Sequence, residues 1–232
     1  MISLPVVLLA GGLGTRVSSI SGHKPKALLP LAGKPFIDWK LTELAAQGIT
    51  KVYLLLGYGS KAIEQHLSEH SYGLDISIIQ DKPNCRGTAQ ALFDSIDLID
   101  EDQFILTYGD NLLPIPISNF TMPLDERHCR MVTTTNIGPA DKPNATAHEG
   151  WVVAYGKDNP TKYTELDYGY SVLSKKCLGL YLAENAADLA PVFSLMAKEG
   201  VLEAHTTDYP YTEIGTPSTY FQADEKLRNN FQ

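Results

Sequence analysis

The chain has 232 residues, 44% of them hydrophobic and 20% charged, with a formal net charge of −8, a composition that suits a soluble globular protein able to bury a core without covalent staples. The acidic balance and the lack of a Lys/Arg cluster exclude nonspecific nucleic-acid binding, which depends on neutralising many phosphates, and no apolar run approaches the roughly 20 residues of a membrane span. Cys85, Cys129 and Cys177 are widely spaced and form no C-x-x-C pattern, which implies reduced thiols, a cytoplasmic location and no zinc site.

Residues 3–10 have the apolarity of a signal-peptide core, but they lack a basic leader and run straight into glycines, so they read as a buried first strand. The glycines that follow, in Gly11-Gly12-Leu13-Gly14-Thr15-Arg16, let the backbone take positive φ and bring its N–H groups close to an anion. Arg16 and, further on, Lys26 supply the cations that a polyphosphate requires. The loop therefore reads as a nucleoside triphosphate site. It fits neither the G-x-x-x-x-G-K-[ST] of a P-loop nor the G-x-G-x-x-G of a dinucleotide site.

Residues 36–47 carry Phe36, Ile37, Leu41, Leu44 and Ala45 at helical spacing and stop at Gly48. A strand at 51–56, a helix at 60–67, a strand at 76–79, a helix at 88–98 and a strand at 104–107, ending in Tyr108-Gly109-Asp110, continue the alternation. That order predicts a parallel sheet with ligands at the carboxyl ends of its strands. Beyond Asp110 the rhythm changes, with strands predicted at 131–135, 151–155 and 170–173 and a mobile loop rich in Pro, Asn, Thr and Asp at 138–150. A helix at 186–198, a short strand at 201–204 and a helix at 217–228 complete the chain.

Leu9-Ala10-Gly11-Gly12-Leu13-Gly14-Thr15-Arg16 closely resembles the L-A-G-G-x-G-T-R signature of the sugar-phosphate nucleotidylyltransferases, or NDP-sugar pyrophosphorylases. Pro25-Lys26-Ala27-Leu28-Leu29-Pro30-Leu31-Ala32-Gly33-Lys34-Pro35 resembles the P-K-x-L-x-P-[IV]-x-x-K-P segment that follows in that family. The resemblance covers most of the chain. It implies a Rossmann-like three-layer α/β/α nucleotide-diphospho-sugar transferase fold with a mixed, mostly parallel sheet. It also implies a short single-domain form over 1–232, with a nucleotide-binding half at about 1–110 and a sugar-phosphate-binding half at about 111–232. The left-handed β-helix that some members add is not expected here. The implied reaction joins a nucleoside triphosphate and a sugar 1-phosphate into an NDP-sugar and pyrophosphate, with Mg²⁺ as cofactor, to supply polysaccharide or glycoconjugate synthesis.

By the same resemblance, Arg16 and Lys26 are the expected catalytic cations, facing the β- and γ-phosphates. Leu9, Ala10, Gly11, Gly12, Gly14 and Thr15 would contact the nucleotide, and Gln80, Gly87 and Thr88 its base. Arg86 reads equally as a surface charge, and Thr88 also as a helix cap. Asp110 matches the family's metal ligand in a Gly-Asp pair. The family's D-[IV]-G-x-P segment is Glu213-Ile214-Gly215-Thr216-Pro217 here, so the second ligand would be the longer Glu213, with Asp208 a less favoured substitute. On the acceptor side Lys157, with Lys162 as alternate, is expected to bind the phosphate and Asp167 and Gly169 to face sugar hydroxyls, while Gly150 reads equally as the family's backbone contact or as a plain turn glycine. The six histidines show no ligand spacing and read as surface or loop residues.

A phosphate monoester is mostly dianionic near neutral pH, because its second pKa is about 6, so the implied nucleophile needs no general base. It needs alignment of two anions and neutralisation of the leaving group. Two other functions stay open: a nucleotidylyltransferase for a non-sugar phosphate such as phosphocholine, and a sensor that binds without turnover, suggested by Glu213 and Asp167-Tyr168-Gly169. Pyrophosphate release separates them. The base, the sugar and the oligomeric state, a homo-oligomer included, are not legible.

Overall fold

A computed structural model describes residues 4–22, 24–138 and 141–229. The strands are β1 (Val6–Leu9), β2 (Lys51–Leu56), β3 (Asp75–Gln80), β4 (Gln103–Tyr108), β5 (Cys129–Thr134), β6 (Ala145–His148), β7 (Trp151–Tyr155), β8 (Leu166–Ser174) and β9 (Leu202–Thr207). Among the described residues these nine form one sheet in the order β3-β2-β1-β4-β8-β5-β9-β7-β6. β1 to β4 are parallel. β8 runs antiparallel between β4 and β5, β9 is parallel to β5, and β7 is antiparallel to β9 and β6. The sheet is mixed, with its parallel part first, as the element order predicts.

Longer helices are α1 (Phe36–Ala46), α2 (Ser60–Ser68), α3 (Thr88–Ser95), α4 (Leu189–Lys198) and α5 (Pro217–Asn229). β1 and β2 are unbroken apolar runs because both of their faces are covered. Alternate residues point to opposite sides. Val7, Leu9, Tyr53 and Leu55 pack with Leu92, Phe193 and Met196 of α3 and α4, while Val6, Leu8, Val52 and Leu54 pack with Ile37, Leu41, Leu44 and Ile63 of α1 and α2. The result is three layers, α/β/α. No helix among the described residues is long and apolar enough to cross a membrane.

A third cluster decides where the distant end of the chain goes. Tyr220 and Ala223 of α5 pack with Leu31, Phe36, Leu112 and Ile214, which seats residues 212–214 beside the end of β4. Thr212–Glu213 then pairs antiparallel with Asn111–Leu112, and the Ile214 N–H donates to the Asp110 carbonyl at 2.9 Å. From the other side the fully buried Lys40 of α1 donates to Asn111 Oδ1 at 3.3 Å and Glu43 Oε2 at 3.4 Å. Glu43 accepts the Leu113 N–H at 2.8 Å. Burial lowers the pKa of Lys40 and Glu43 opposes that shift, the pairing that a buried ammonium requires.

Several boundaries differ from the expected ones for local reasons. The stretch 138–150, expected as a mobile loop, contains β6, an edge strand on β7; Pro139 and Ala140 lie outside the described residues. Ala145-Thr146-Ala147-His148 carries no large apolar side chain, so its pairing is what reveals it. The helix expected over 88–98 ends at Ser95, whose hydroxyl donates back to the Ala91 carbonyl at 2.7 Å, and a 3-10 turn, Ile96–Leu98, follows. α4 starts at Leu189 rather than 186, where the Asp188 carboxylate accepts the Ala190 N–H at 3.0 Å.

Candidate functional site

The carboxyl ends of β1 to β4 surround a cavity of about 430 Å³, the location expected for ligands of a parallel α/β sheet. Leu9, Ala10, Gly11, Gly12, Gly14, Thr15 and Arg16 line one wall, together with Lys26. This loop is tied down by its own backbone. The Ala10 N–H donates to the Leu55 carbonyl at 2.9 Å, the Gly109 N–H to the Leu9 carbonyl at 2.8 Å, and the Tyr58 N–H to the Gly11 carbonyl at 3.1 Å. A Cβ on Gly11 would collide with the Asp81 carboxylate and lie 2.9 Å from the Gly57 nitrogen, so glycine is what lets the ends of β1, β2 and β3 converge. Gly14 takes φ 61 and its position leaves a Cβ only 3.2 Å from that of Lys26, which fits the left-handed turn that opens the 3-10 segment Thr15–Val17.

Tyr108, Gly109, Asp110 and Gly215 line the same cavity. The Lys26 ammonium donates to the Asp110 carboxylate at 2.8 Å, and Arg16 is exposed in the same cavity. Glu213 lies beside them, with its Oε1 3.2 Å from where a Cβ on Gly215 would stand. Burial and then the Asp110 charge raise the pKa of Glu213, while Lys26 and Arg16 pull it down. Two carboxylates that repel one another and two cations thus lie close together, although Glu213 lines a second cavity, with Tyr211 and Lys226, and not the one that holds the other three.

Among the described residues no group of three or more His, Cys, Asp or Glu side chains is arranged to hold a metal. The Asp110 and Glu213 pair fits a small hard cation in another way. Mg²⁺ keeps several waters and takes further oxygens from phosphates, so one or two carboxylates suffice.

The residues expected at the base divide. Gly87 and Thr88 line the cavity. The Ala187 carbonyl accepts the Ala89 N–H at 3.2 Å, and Thr88 Oγ1 accepts the Leu189 N–H at 3.3 Å, so the Thr88 hydroxyl ties α3 to the start of α4 and caps no helix of its own. Gln80 does not face the cavity. Its amide donates to Glu64 of α2 at 2.7 Å on the exposed edge of the sheet. Adjacent residues on a strand point to opposite sides, and it is Asp81, one position on, that lines the cavity along with Arg86. A carboxylate directly after an apolar strand was the available signal for Asp81.

Of the residues expected on the acceptor side, Lys157, Asp167 and Gly169 do not line this cavity; Asp167 accepts from the Tyr155 hydroxyl at 3.0 Å and the Gly169 N–H at 2.9 Å. Burial raises its pKa, and these two donors oppose the rise. Its charge, after burial itself, helps push the Tyr108 hydroxyl well above the usual range. Gly169 sits where a Cβ would come 2.6 Å from Asn111 Nδ2, so this backbone packs against the residue next to Asp110. Lys157 is exposed and paired with Asp188 at 3.0 Å, and Lys162 with Asp158 at 3.5 Å.

Gly150 is a turn glycine and not an acceptor-side contact. It forms the turn between β6 and β7, next to Trp151, which registers with Glu203 near the start of β9. The start of β9 registers with the start of β5, and Tyr155, at the far end of β7, is the residue that reaches Asp167. Gly150 therefore lies at the end of the sheet opposite the cavity. Among the described residues no histidine lines the cavity. His66 is not a loop residue but sits on α2, 2.7 Å from the Asp38 carboxylate, His148 and His205 lie in strands, and His23 is outside the described residues.

A family model described as nucleotidyl transferase matches residues 5–153. The D-glycero-alpha-D-manno-heptose 1-phosphate guanylyltransferase of Aneurinibacillus thermoaerophilus is 25% identical over 97% of this chain and 99% of its own length. The low-salt glycan biosynthesis nucleotidyltransferase Agl11 of Haloferax volcanii is 37% identical over 46% of the chain. The chain spans between 30% and 53% of the length of three of the curated relatives it matches. Among solved structures, HddC from Yersinia pseudotuberculosis superposes with a TM-score of 0.77 at 26% identity, covering 97% of this chain and 99% of the other.

Proposed function

The chain belongs to the nucleotidyl transferase family, and on that footing we propose that it joins a nucleoside triphosphate to a sugar 1-phosphate, forming an NDP-sugar and releasing pyrophosphate. The observation that carries this reading is the meeting of Lys26, Arg16 and Asp110 in a glycine-walled cavity at the ends of the parallel strands, with Glu213 close enough to feel all three charges.

In the proposed reaction an oxygen of the sugar phosphate forms a bond to the α-phosphorus as the bond to the bridging β-phosphate oxygen breaks. The electron pair leaves with pyrophosphate. The attacking group is already ionised, so the chain's task is to align two anions and absorb the charge that develops on the leaving group. Lys26 and Arg16 are assigned that charge, with the backbone of residues 11–15 against the phosphates. Asp110 and Glu213 would hold Mg²⁺, which supplies additional charge neutralisation across the phosphates when bound. Tyr108 lines the cavity and Asp167, held by Tyr155 and the Gly169 N–H, lies near enough for its charge to act on Tyr108, which supports reading this neighbourhood as the place for sugar hydroxyls, and Lys157, if exchanged from Asp188, would reach for the acceptor phosphate.

In this reading the first half of the chain, to about residue 110, holds the nucleotide, and the later residues complete the acceptor side and return Glu213 to the metal. The product would be an activated sugar for polysaccharide or glycoconjugate synthesis. Relatives are named for guanylyl, uridylyl and thymidylyl transfer, so their names leave the base of this chain's substrate open.

A pyrophosphate-release panel tests the proposal, crossing the common nucleoside triphosphates with several sugar 1-phosphates and phosphocholine in the presence of Mg²⁺. Release that depends on a sugar 1-phosphate is expected. Nucleotide binding without any release would instead indicate a sensor, and release with phosphocholine alone would indicate a non-sugar enzyme.

A further inference from the structure

Asp81 places a carboxylate in the cavity wall with nothing to pair it. Among the described residues it forms no ion pair or hydrogen bond through its side chain, and the charge that acts on it is the like charge of Asp94, which is itself bound to Lys82 at 2.6 Å. Its position is fixed nonetheless. Oδ2 lies against Gly11 and Gly57, where a Cβ on Gly57 would come within 2.6 Å of it, so the two glycines form a slot for this carboxylate at the junction of β1, β2 and β3. Partial burial raises its pKa, as expected for an ionised group lacking donors. Five residues on, Arg86 is exposed in the same wall, with no hydrogen bond or ion pair among the described residues.

An ionised carboxylate only accepts hydrogen bonds, and it offers two oxygens side by side. Guanine alone among the common bases presents two adjacent donors on one edge, N1–H and N2–H. Uracil and thymine flank their single N3–H with carbonyl oxygens that a carboxylate would repel. Cytosine and adenine each set one amino group beside a ring-nitrogen lone pair. The neighbouring edge of guanine, O6 and N7, is a bidentate acceptor suited to an arginine fork.

We propose that Asp81 makes this chain's nucleotide site selective for guanine by accepting N1–H and N2–H, with Arg86 donating to O6 and N7. The inference rests on the reading of the cavity as a nucleotide site and deepens it by naming the base. Gln80, turned away to Glu64, takes no part.

Calorimetric titration of the full chain with GDP, UDP, CDP and ADP, each with Mg²⁺, tests it, beside D81N and R86A. The wild-type chain is expected to bind GDP about tenfold or more tighter than the other three, the discrimination typical of one bidentate base contact. Asparagine offers one acceptor and one donor, which matches the N3–H and O4 of uracil, so D81N should lose the guanine preference and gain affinity for UDP. R86A should weaken GDP while leaving UDP unchanged. Tightest binding of another diphosphate by the wild type, or a guanine preference retained in D81N, overturns the inference; if D81N fails to fold, the wild-type ranking decides alone. Pyrophosphate release with a different base would overturn this inference and leave the proposed reaction standing, whereas no binding of any diphosphate would overturn both.

Discussion

The Lys26 ammonium lies 2.8 Å from the Asp110 carboxylate, an ion pair across 84 positions of sequence that joins the segment after the glycine loop to the end of β4. Both side chains are partly accessible, at 13% and 36%, so the pair is open to a ligand that inserts its own charges between them.

Replacing Lys26 by Ala removes the cation assigned to the leaving group. kcat is expected to fall by about 2–4 kcal/mol in activation terms, the usual cost of losing one transition-state charge contact, and Arg16→Ala should lose a similar amount. Steady-state pyrophosphate release measures both. A near-normal kcat in the two variants would remove their assigned role.

Asp110→Asn keeps the shape of the side chain and deletes its charge. The variant is expected to fold, as judged by its unfolding transition, and to lose Mg²⁺-dependent turnover. A pyrophosphate assay titrated with Mg²⁺ should be flat at background. An unchanged dependence on metal would place the ligand elsewhere.

Glu213 makes stability depend on pH and metal together. Its pKa is raised from the ordinary 4.5 by burial and by Asp110, so protonation is favoured in the folded state. The stability this contributes is present below the unfolded-state pKa and is lost as pH rises through the folded value. Near neutral pH, Glu213→Gln should therefore raise Tm in the absence of metal, and the gain should vanish below pH 4.5. Mg²⁺ should raise Tm of the wild type more than that of the variant. Thermal unfolding with and without Mg²⁺ at the two pH values checks the sign; a lower Tm for the metal-free variant near neutral pH would contradict it.

Gly11 and Gly12 separate two roles within one loop. A Cβ on Gly11 meets the Asp81 carboxylate and the Gly57 backbone, whereas one on Gly12 meets nothing within 4 Å. Gly11→Ala should cost about 1–3 kcal/mol, as overpacking does, and Gly12→Ala should leave stability near wild type. Denaturant unfolding measures both, and equal stabilities would contradict the tight convergence of β1, β2 and β3.

Much of this was legible because the relevant signals are local. The glycines, Arg16 and Lys26 are close in sequence, and the apolar runs of β1, β2 and β4 record burial on both faces. Asp110 stands two residues past the end of its strand. What was not legible depends on register. Gln80 and Asp81 differ by one position, and on a strand one position reverses the face. Gly150 resembled an acceptor-site glycine until the pairing of β7 with β9 carried its turn to the other end of the sheet. β6 has no large apolar side chain to announce it and is defined by its pairing with β7. The approach of Glu213 to Asp110 is made by the backbone of Asn111–Leu112 and by the packing of α5 on Ile214, long-range contacts that no local pattern encodes.

The most direct measurement is a crystal structure of the chain with Mg²⁺ and a nonhydrolysable nucleoside triphosphate. The account predicts phosphates against residues 11–16 within hydrogen-bonding distance of Lys26, the metal on Asp110, and the base along the wall that carries Asp81 and Gly87. A triphosphate bound at any other surface, with this cavity left to solvent, would contradict it.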